Sequence, residues 1–205
     1  MKKVIGLEYS IMLSLLAIIL LGVNQGFSQT NDTQFTTYQN EELGISFQYP
    51  SNWTEYDENQ RKQTTELGLQ LLSGQNLTTN EKAYAEAVAV ASFYNLDPNN
   101  ILGATLVKYE FPNSISVEEF NQIGFKLTDA VGLKATIVEN ANTTISNLQA
   151  NKVGIRIDEG PIQGELTSIA FFNGKTVTSL QLGAVNNEAQ ASVIQKVIDS
   201  IKISS

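Results

Sequence analysis

The chain lacks two residue types completely: there is neither cysteine nor histidine among its 205 residues. Without thiolate and imidazole it has none of the ligands of ordinary zinc sites, and Ser-His and Cys-His nucleophile pairs are excluded. A lipid-modified cysteine anchor is excluded for the same reason. A chain of this length can still bury a stabilising core without disulfides. Carboxylate chemistry and Ser-Lys pairing are the catalytic options that remain.

Basic residues are also scarce. The chain has 13 Lys and Arg against 21 Asp and Glu, a formal net charge of −8. Nucleic acids and anionic membrane surfaces are bound by clustered Lys and Arg, so neither is expected as a partner.

The acidic residues invite a calcium site, because Ca²⁺ takes several carboxylate oxygens. No EF-hand spacing is present, and a solvated acidic surface is the simpler interpretation. No other cofactor or metal is expected. The acidic groups are Glu41-Glu42, Glu55/Asp57/Glu58, Glu118-Glu119 and Asp158-Glu159.

The first 28 residues are typical of a signal peptide. Lys2 and Lys3 precede an apolar run at Ile11–Val23, and small residues occupy the −3 and −1 positions of a cleavage site after Ser28. At about 1.5 Å per residue this run spans roughly 20 Å as a helix, against a hydrocarbon core of about 30 Å. A retained membrane anchor is the alternative. Export predicts an extracellular or cell-envelope location.

The remainder is expected to be a short flexible spacer followed by one domain. Residues 29–37 are polar and without periodicity, which predicts the spacer. Residues 38–205 form the predicted domain.

Four Asn-x-Ser/Thr sequons are candidate glycosylation sites in an exported chain. Chance is the alternative, since the chain is rich in Asn and Thr. Asn52 is the least favourable of the four, because Trp53 beside it is expected to pack inward. The sites are Asn31, Asn52, Asn76 and Asn142.

The first half of the domain has patterns typical of strands. Residues 44–49 alternate and Pro50 ends the strand. The other predicted strands are 53–56, 67–72, about 86–93 and 104–111, with a loop at 57–65. For residues 80–94 a helix capped by Asn80 is the alternative, although Val88, Val90 and Phe93 favour a strand.

The second half starts with a helix at about 117–130. Ser116 and Glu119 have the spacing of a capping box, and Gly132 lies where a helix stop is expected. Strands are predicted at 136–139 and 152–157, followed by 164–172 and 175–184. Asn173-Gly174 between the last two predicts a type I′ hairpin. Residues 187–201 are predicted to form a closing helix with one apolar stripe. Together these elements predict an α+β fold whose central, mostly antiparallel sheet is flanked by helices.

Both ends of the domain resemble the PsbP-like family. At the start, Tyr38 precedes Gly44-Ile45-x-Phe47-x-Tyr49-Pro50-Ser51-x-Trp53, which is similar to the family's opening strand. At the end, Ile198, Ser200, Ile201 and Ile203 match its closing pattern. In element order the likeness covers most of the predicted domain.

The resemblance implies an α/β/α sandwich and a role in docking on a larger partner. The best-known member of the family is an extrinsic subunit of the oxygen-evolving complex, where it helps to retain calcium and chloride. A structural cousin binds a small GTPase. Metal ligation in the photosynthetic branch uses histidine in part, so that site cannot be carried over to this chain.

Aromatic residues supply the remaining site candidates. Trp53 could stack on a ligand, or anchor the first sheet turn against a helix. In a regular strand Phe171 and Phe172 point to opposite faces, so one of them must face outward. That residue is either a partner contact or packed under a helix.

Three functions are compatible with these features. The first is a non-catalytic accessory or assembly domain docking on an envelope or membrane protein complex. The second is a carrier or sensor for a small ligand or divalent cation. The third, a hydrolase with paired carboxylates, needs two converging acids, and nothing in the sequence places two together. The chain is therefore not expected to be an enzyme.

Overall fold

The computed structural model describes residues 34–95, 102–146, 148–157, 164–184 and 188–204. Within them the strands are β1 (Phe35–Asn40), β2 (Ile45–Pro50), β3 (Thr54–Glu55), β4 (Ala89–Asn95), β5 (Leu102–Glu110), β6 (Ala135–Ile145), β7 (Leu148–Ile157), β8 (Gly164–Asn173), β9 (Thr176–Ala184) and β10 (Lys202–Ile203). The helices are α1 (Glu58–Leu71), α2 (Thr79–Ala85), α3 (Val117–Ala130) and α4 (Glu188–Asp199). The predicted leader, residues 1–28, lies outside the described residues.

The strands form two antiparallel sheets. The larger has seven strands in the order β3-β4-β5-β9-β8-β7-β6, and the smaller has three in the order β1-β2-β10. Every pairing between the described strands is antiparallel, as hairpin connections dictate.

Each face of the large sheet is covered by its own hydrophobic cluster. Helices α1, α2 and α3 pack on one face, where Phe120 and Leu127 belong to one hydrophobic cluster with residues of β4, β5 and β9. Helix α4 and the small sheet cover the other face, where Phe47 and Val197 join Leu106 and residues of β8 and β9. The predicted antiparallel sheet with helices on both faces is confirmed. The small sheet, which completes the second outer layer, is an addition to the prediction.

The two ends that carry the family pattern are neighbours in space. Gly44 adopts a φ of +60°, and a Cβ there would lie 2.6 Å from the Ser204 carbonyl oxygen. The Ser204 amide in turn donates to the Gly44 carbonyl at 2.7 Å, and Ile203 pairs with Ile45. The glycine of the opening pattern is therefore needed for the C-terminal strand to close on β2.

Strand β1 is an additional strand, because the first predicted strand, residues 44–49, corresponds to β2. β1 starts at Phe35, so residues 35–37 belong to the small sheet and not to a flexible spacer. Phe35 is half-buried, and its ring lies 5.8 Å from Lys196 Nζ on α4.

The prediction of a loop at 57–65 and a strand at 67–72 is wrong, because α1 spans both. Asp57 forms a full capping box: its Oδ1 accepts from the Gln60 amide, and Gln60 Oε1 accepts from the Asp57 amide, both at 2.9 Å. Most residues of this helix are good helix formers. It lacks an apolar stripe, because among its residues only Thr64 and Gly68 are buried.

Residues 79–95 contain both of the predicted alternatives. A short helix, α2, is capped by Thr78 rather than Asn80, and strand β4 follows from Ala89 instead of from about residue 86. Asn80 donates to Glu119 Oε1 on α3 at 2.7 Å. Glu119 therefore makes an inter-helix contact, and the predicted capping box is only half formed: Ser116 Oγ accepts from the Glu119 amide at 3.1 Å.

The β8–β9 hairpin is confirmed, but its turn is shifted by one residue. Asn173 pairs with Thr176, so the two turn residues are Gly174 and Lys175. Gly174 has a φ of +61°, and neither Asn173 nor Lys175 has a positive φ. Glycine at the first turn position is typical of a type II′ turn, so the prediction of type I′ is wrong.

Strands β6 and β7 are much longer than predicted. Their pairing extends from Ala135↔Ile157 to Ile145↔Leu148, whereas the sequence indicated strands only at 136–139 and 152–157. The closing helix ends at Asp199. Residue 187, its predicted start, lies outside the described residues.

Candidate interaction surface

The outer strand β6 is the least covered part of the large sheet. It lies at one end of the strand order and pairs only with β7 among the described strands. Residues 136–142 are all exposed, although consecutive side chains of a strand point to opposite faces. Both faces of this strand therefore meet solvent, and one of its two backbone edges has no partner strand in the described part of the chain.

A β-bulge interrupts the β6–β7 ladder near the start of β6. The register shifts between Ile137 and Glu139, opposite Gly154. A Cβ on Gly154 would lie 3.1 Å from both Val138 Cγ2 and Glu139 Cβ. Gly154 therefore makes room for the Val138 side chain, and Glu139 forms an ion pair with Lys152 at 2.9 Å.

Exposed apolar side chains concentrate at this hairpin. Four large hydrophobic residues of the described chain are exposed: Ile137 and Val138 (47% each), Leu148 (43%) and Val88 (37%). The first three lie on β6 or at the start of β7. Scattered single apolar residues are ordinary, but a group at an open sheet edge is typical of an interaction site.

Hydrogen bonds between three asparagine side chains connect the outer strand to helix α3. Asn121 Nδ2 donates to Asn151 Oδ1 at 3.0 Å, and Asn151 Nδ2 donates to Asn140 Oδ1 at 3.1 Å. Asn151 is only 2% exposed, so its amide would be costly to leave unpaired. The same Nδ2 lies 3.4 Å from Asn142 Oδ1. The sequence analysis missed this network, because a buried asparagine in a strand has no signal in the hydrophobic pattern.

The space beneath α3 is a cavity of mixed polar and apolar lining that is too small for a ligand. It measures about 40 Å³ and is lined by Tyr84, Phe120, Ser168 and Gln181 among others. Gln181 Nε2 donates to the Tyr109 hydroxyl at 2.8 Å. Burial raises the pKa of Tyr84 to about 12 and raises that of Tyr109 well above its usual value. Both phenols are therefore neutral at physiological pH, and the cavity could hold only water.

An open cleft lies between α2 and α3. It has a volume of about 720 Å³, and its lining includes Glu81, Glu119 and Lys126. Glu81 is 5% exposed and accepts from Lys126 Nζ at 2.5 Å. Burial by itself would raise the pKa of Glu81, but hydrogen bonds from Lys126 and Thr78 outweigh burial and lower that pKa. The Glu81 carboxylate is charged and already neutralised by Lys126.

The predicted acidic groups do not converge in the described residues, and several of them make structural contacts. Asp57 caps α1, Glu58 pairs with Lys62 at 2.5 Å, and Glu42 pairs with Lys108 at 3.3 Å. Across the described ranges, no three acidic residues come close enough to hold a metal ion. Asp158 and Glu159 lie outside the described residues.

The aromatic candidates pack inside the protein. Trp53 is 6% exposed within the cluster beneath α4 and the small sheet, as the anchoring alternative requires. Phe171 is 8% exposed on that same face of β8. Phe172 points to the other face, where its ring meets Phe120 edge-on at 5.6 Å. The structure thus favours the packed alternative for both phenylalanines, because each face of the sheet at β8 has a covering layer.

Three of the sequon asparagines are exposed. Asn52 lies in the turn after β2, Asn76 lies between α1 and α2, and Asn142 lies on the outer strand. Asn31 falls outside the described residues. All four stay candidates for glycosylation.

The fold is an α/β/α domain with an antiparallel sheet, and the candidate interaction surface is the outer strand at the sheet edge. In the part of the chain that the structure describes, no helix is both long and apolar enough to cross a membrane. A family model described as PsbP-like protein matches residues 22–203. The chain therefore belongs to the PsbP-like family.

One solved structure agrees with this assignment of the fold, and two others are less similar. The cyanobacterial PsbP protein CyanoP from Synechocystis sp. PCC 6803 is similar with a TM-score of 0.51 and 11% identity, over 88% of this chain and 99% of that one. A Bacteroides thetaiotaomicron protein is similar with a TM-score of 0.42 and 13% identity, over 82% of this chain and 48% of that one. LpqN of Mycobacterium tuberculosis, described as involved in cell envelope biogenesis, has a TM-score of 0.41 and 12% identity, over 98% of this chain and 100% of that one. No curated protein sequence matches the chain.

Proposed function

We propose that this protein is an exported, non-catalytic PsbP-like domain that docks on a larger envelope or membrane protein complex as an accessory or assembly factor. Membership of the PsbP-like family and the basic, apolar and small-residue pattern of residues 1–28 support this proposal. The acidic balance of the chain favours a partner whose contact surface is neutral or basic.

The observation that carries the proposal is the contrast between the outer strand and the rest of the described surface. The acids with local contacts cap helices or pair with lysines, and the cavity beneath α3 is too small for a substrate. Strand β6, in contrast, has one edge without a partner strand among the described residues and carries exposed apolar side chains. An open strand edge binds protein segments, since its hydrogen-bonding groups match those of another extended chain.

Affinity capture with matched variants tests the docking proposal. The tagged protein is expressed in its native cells, cross-linked in the envelope and purified, and retained proteins are quantified. Wild type is expected to retain one envelope complex reproducibly, and Val138→Lys is expected to retain much less of it.

Val88→Lys is the control for this capture, because it replaces an exposed apolar residue away from β6 with the same side chain. It should retain as much of the complex as wild type. Equal capture by all three proteins would contradict a role of the outer strand. No capture by any of them would contradict docking itself.

A small ligand or divalent cation is the second candidate, and the cleft between α2 and α3 is the observation that favours it. Its volume falls within the range of about 300–1,000 Å³ typical of ligand sites. A ligand that binds only the folded state raises the thermal midpoint of unfolding. The midpoint should rise with Ca²⁺ or with a member of a metabolite panel if this candidate is correct. The midpoint should not change if the ion pair between Lys126 and Glu81 leaves the cleft without a free charged group for a ligand.

A further inference from the structure

We infer that β6 pairs with β6 of a second copy of this chain, antiparallel across a two-fold axis near Asn142, so that the two large sheets join into one. This inference rests on the open edge named in the proposed function, and not on the docking itself. One strand edge pairs with one strand at a time, so a second copy and a strand of an envelope partner would compete for β6.

The free edge of β6 lacks the features that normally keep edges apart. Natural edge strands are protected by lysine, proline, short length or bulges. From Thr136 to Ile145 there is neither lysine nor proline. The bulge lies at one end, and the ladder from Glu139 to Ile145 is regular. The single charge in that stretch, Glu139, is paired with Lys152.

The regular stretch is complementary to itself. With the axis at Asn142, Glu139 lies opposite Ile145 of the second copy, and Asn140 lies opposite Thr144. Ala141 then faces Thr143. Like charges directly opposite each other would destabilise a strand pair, and this register opposes none. Thr143, Thr144 and Ile145 are β-branched residues, which suit strand pairing.

Apolar residues at the two ends of β6 approach each other across the same axis. Val138 lies at one end of β6, while Ile145 and its partner Leu148 lie at the other. All three lie on one face of the sheet. Val138 lies over Gly154. Leu148 points to the same face as Ala150 and Gly154, because these residues are an even number of positions apart along β7. A two-fold axis perpendicular to the sheet keeps this face common to both copies. It brings Val138 of each copy towards the Ile145–Leu148 end of the other, as a self-complementary interface requires.

The interface is small, and the copies carry the same net charge. A stable protein interface buries about 1,200–2,000 Å² in total, which one strand pair does not reach alone. The net charge of −8 adds a repulsion that salt screens, with a Debye length of about 8 Å at physiological ionic strength. Association should therefore be weak, increase with protein concentration, and strengthen as salt is added.

Single-cysteine variants give the most direct test, because the chain has no cysteine of its own. The protein is produced in a host without N-glycosylation, since a glycan on Asn142 would occupy the axis. In an antiparallel pair, opposed Cα atoms lie about 4.5–5.5 Å apart, within the distance that a disulfide requires. Asn142→Cys should form disulfide dimers under mild oxidation, and Val88→Cys should not. Equal cross-linking of the two variants would overturn the proposal.

A charge-swap pair checks the result without covalent chemistry. In sedimentation velocity, wild type should shift towards twice the monomer mass with increasing concentration. Asn142→Lys and Asn142→Asp should each stay monomeric, since identical charges meet on the axis, and an equal mixture of the two should associate again. Wild type that is monomeric even in concentrated solution, or a mixture that does not associate, would overturn the proposal.

The two proposals fail separately in these experiments. Sedimentation and cross-linking use the purified protein alone, so their outcome does not depend on any envelope partner. A dimer that captures no envelope protein would leave this inference standing and contradict the proposed function. A monomer that captures one would do the reverse.

Discussion

Strands β5 and β6 belong to the same sheet but are stabilised in different ways. In β5, every residue from Leu102 to Val107 is buried, because helices cover one face and α4 with the small sheet covers the other. In β6, every residue from Thr136 to Asn142 is exposed. Burial of an apolar side chain contributes about 1.5–3 kcal/mol, so β5 is stabilised mainly by packing. Strand β6 depends on its backbone ladder and on polar contacts, and this leaves its side chains available for binding.

The largest effect is expected from removing an inner aromatic side chain. Phe93 on β4 is fully buried, and its ring contacts those of Tyr38, Phe47 and Tyr49. Phe93→Ala should lower the free energy of unfolding by about 3–5 kcal/mol in urea denaturation, because the lost burial leaves a cavity. Val138→Ala on the outer strand should change it by less than about 0.5 kcal/mol. Similar losses for the two variants would contradict the contrast between inner and outer strands.

Two Gly→Ala substitutions compare the inner and outer strands by the addition of a single methyl group. A Cβ on Gly103 of β5 would lie 2.3 Å from the Tyr94 ring, which is fully buried and whose hydroxyl bonds to Thr105. Gly103→Ala should therefore cost about 1–3 kcal/mol by overpacking.

Gly154→Ala is the matched change beside the outer strand. The nearest atoms, at 3.1 Å, belong to the side chains of Val138 and Glu139 on an exposed strand, which can shift outward. Gly154 is buried, so the change still overpacks, but its cost should be about 1 kcal/mol, at the low end of the overpacking range. Thermal unfolding of both variants measures the difference, and an equal fall in the midpoint would show that the outer strand is as rigid as the inner one.

The same contrast explains which parts of the fold could be predicted. Alternation in β2 and helical spacing in α3 are signals of a buried face, and both elements were predicted near their observed positions. The β8–β9 hairpin was found because glycine marks its turn. Only the register of the turn was wrong. In the predicted type I′ turn Gly174 would be the second of the two turn residues, whereas in the observed type II′ turn it is the first.

Elements without a buried apolar face were missed. Helix α1 buries only Thr64 and Gly68 among its own residues, so its signal was the capping box at Asp57 and not periodicity. The outer part of β6 is Asn- and Thr-rich and exposed on both faces, so no alternation marks it. The candidate surface was missed with it. Phe171 and Phe172 were considered instead because the sequence cannot show that layers cover both faces of β8.

A smaller loss of stability than that of Phe93→Ala is expected from disrupting the amide network between the outer strand and α3. Asn151→Ala leaves the amides of Asn121 and Asn140 without their buried partner. The expected cost is about 1–2 kcal/mol. Native-state hydrogen exchange should accelerate in β6 more than in β5, because only the outer strand depends on this contact. Asn121→Ala should cost less, since Asn151 keeps its bond to Asn140. Uniform acceleration across the sheet would instead indicate that Asn151 stabilises the whole domain.

The last prediction concerns Glu81, whose buried carboxylate lies away from both strands. Hydrogen bonds from Lys126 and Thr78 lower its pKa in the folded protein. A carboxyl group with a lowered folded pKa stabilises the protein above its unfolded pKa of about 4.3, and this contribution is lost as pH falls through the folded pKa. Glu81→Gln should therefore cost about 1 kcal/mol at neutral pH, and the difference from wild type should narrow on acidification.

Urea denaturation of wild type and Glu81→Gln across the acid range measures this narrowing. Hydrogen exchange in β6 should be the same in both proteins, because the contacts of Glu81 join α2 to α3 and do not reach the outer strand. A difference between the two proteins that stays constant with pH would mean that Glu81 acts through its shape as a helix cap and not through its charge. Altered exchange in β6 would mean that the helices α2 and α3 and the outer strand are energetically coupled. The inner and outer regions would then not be stabilised independently.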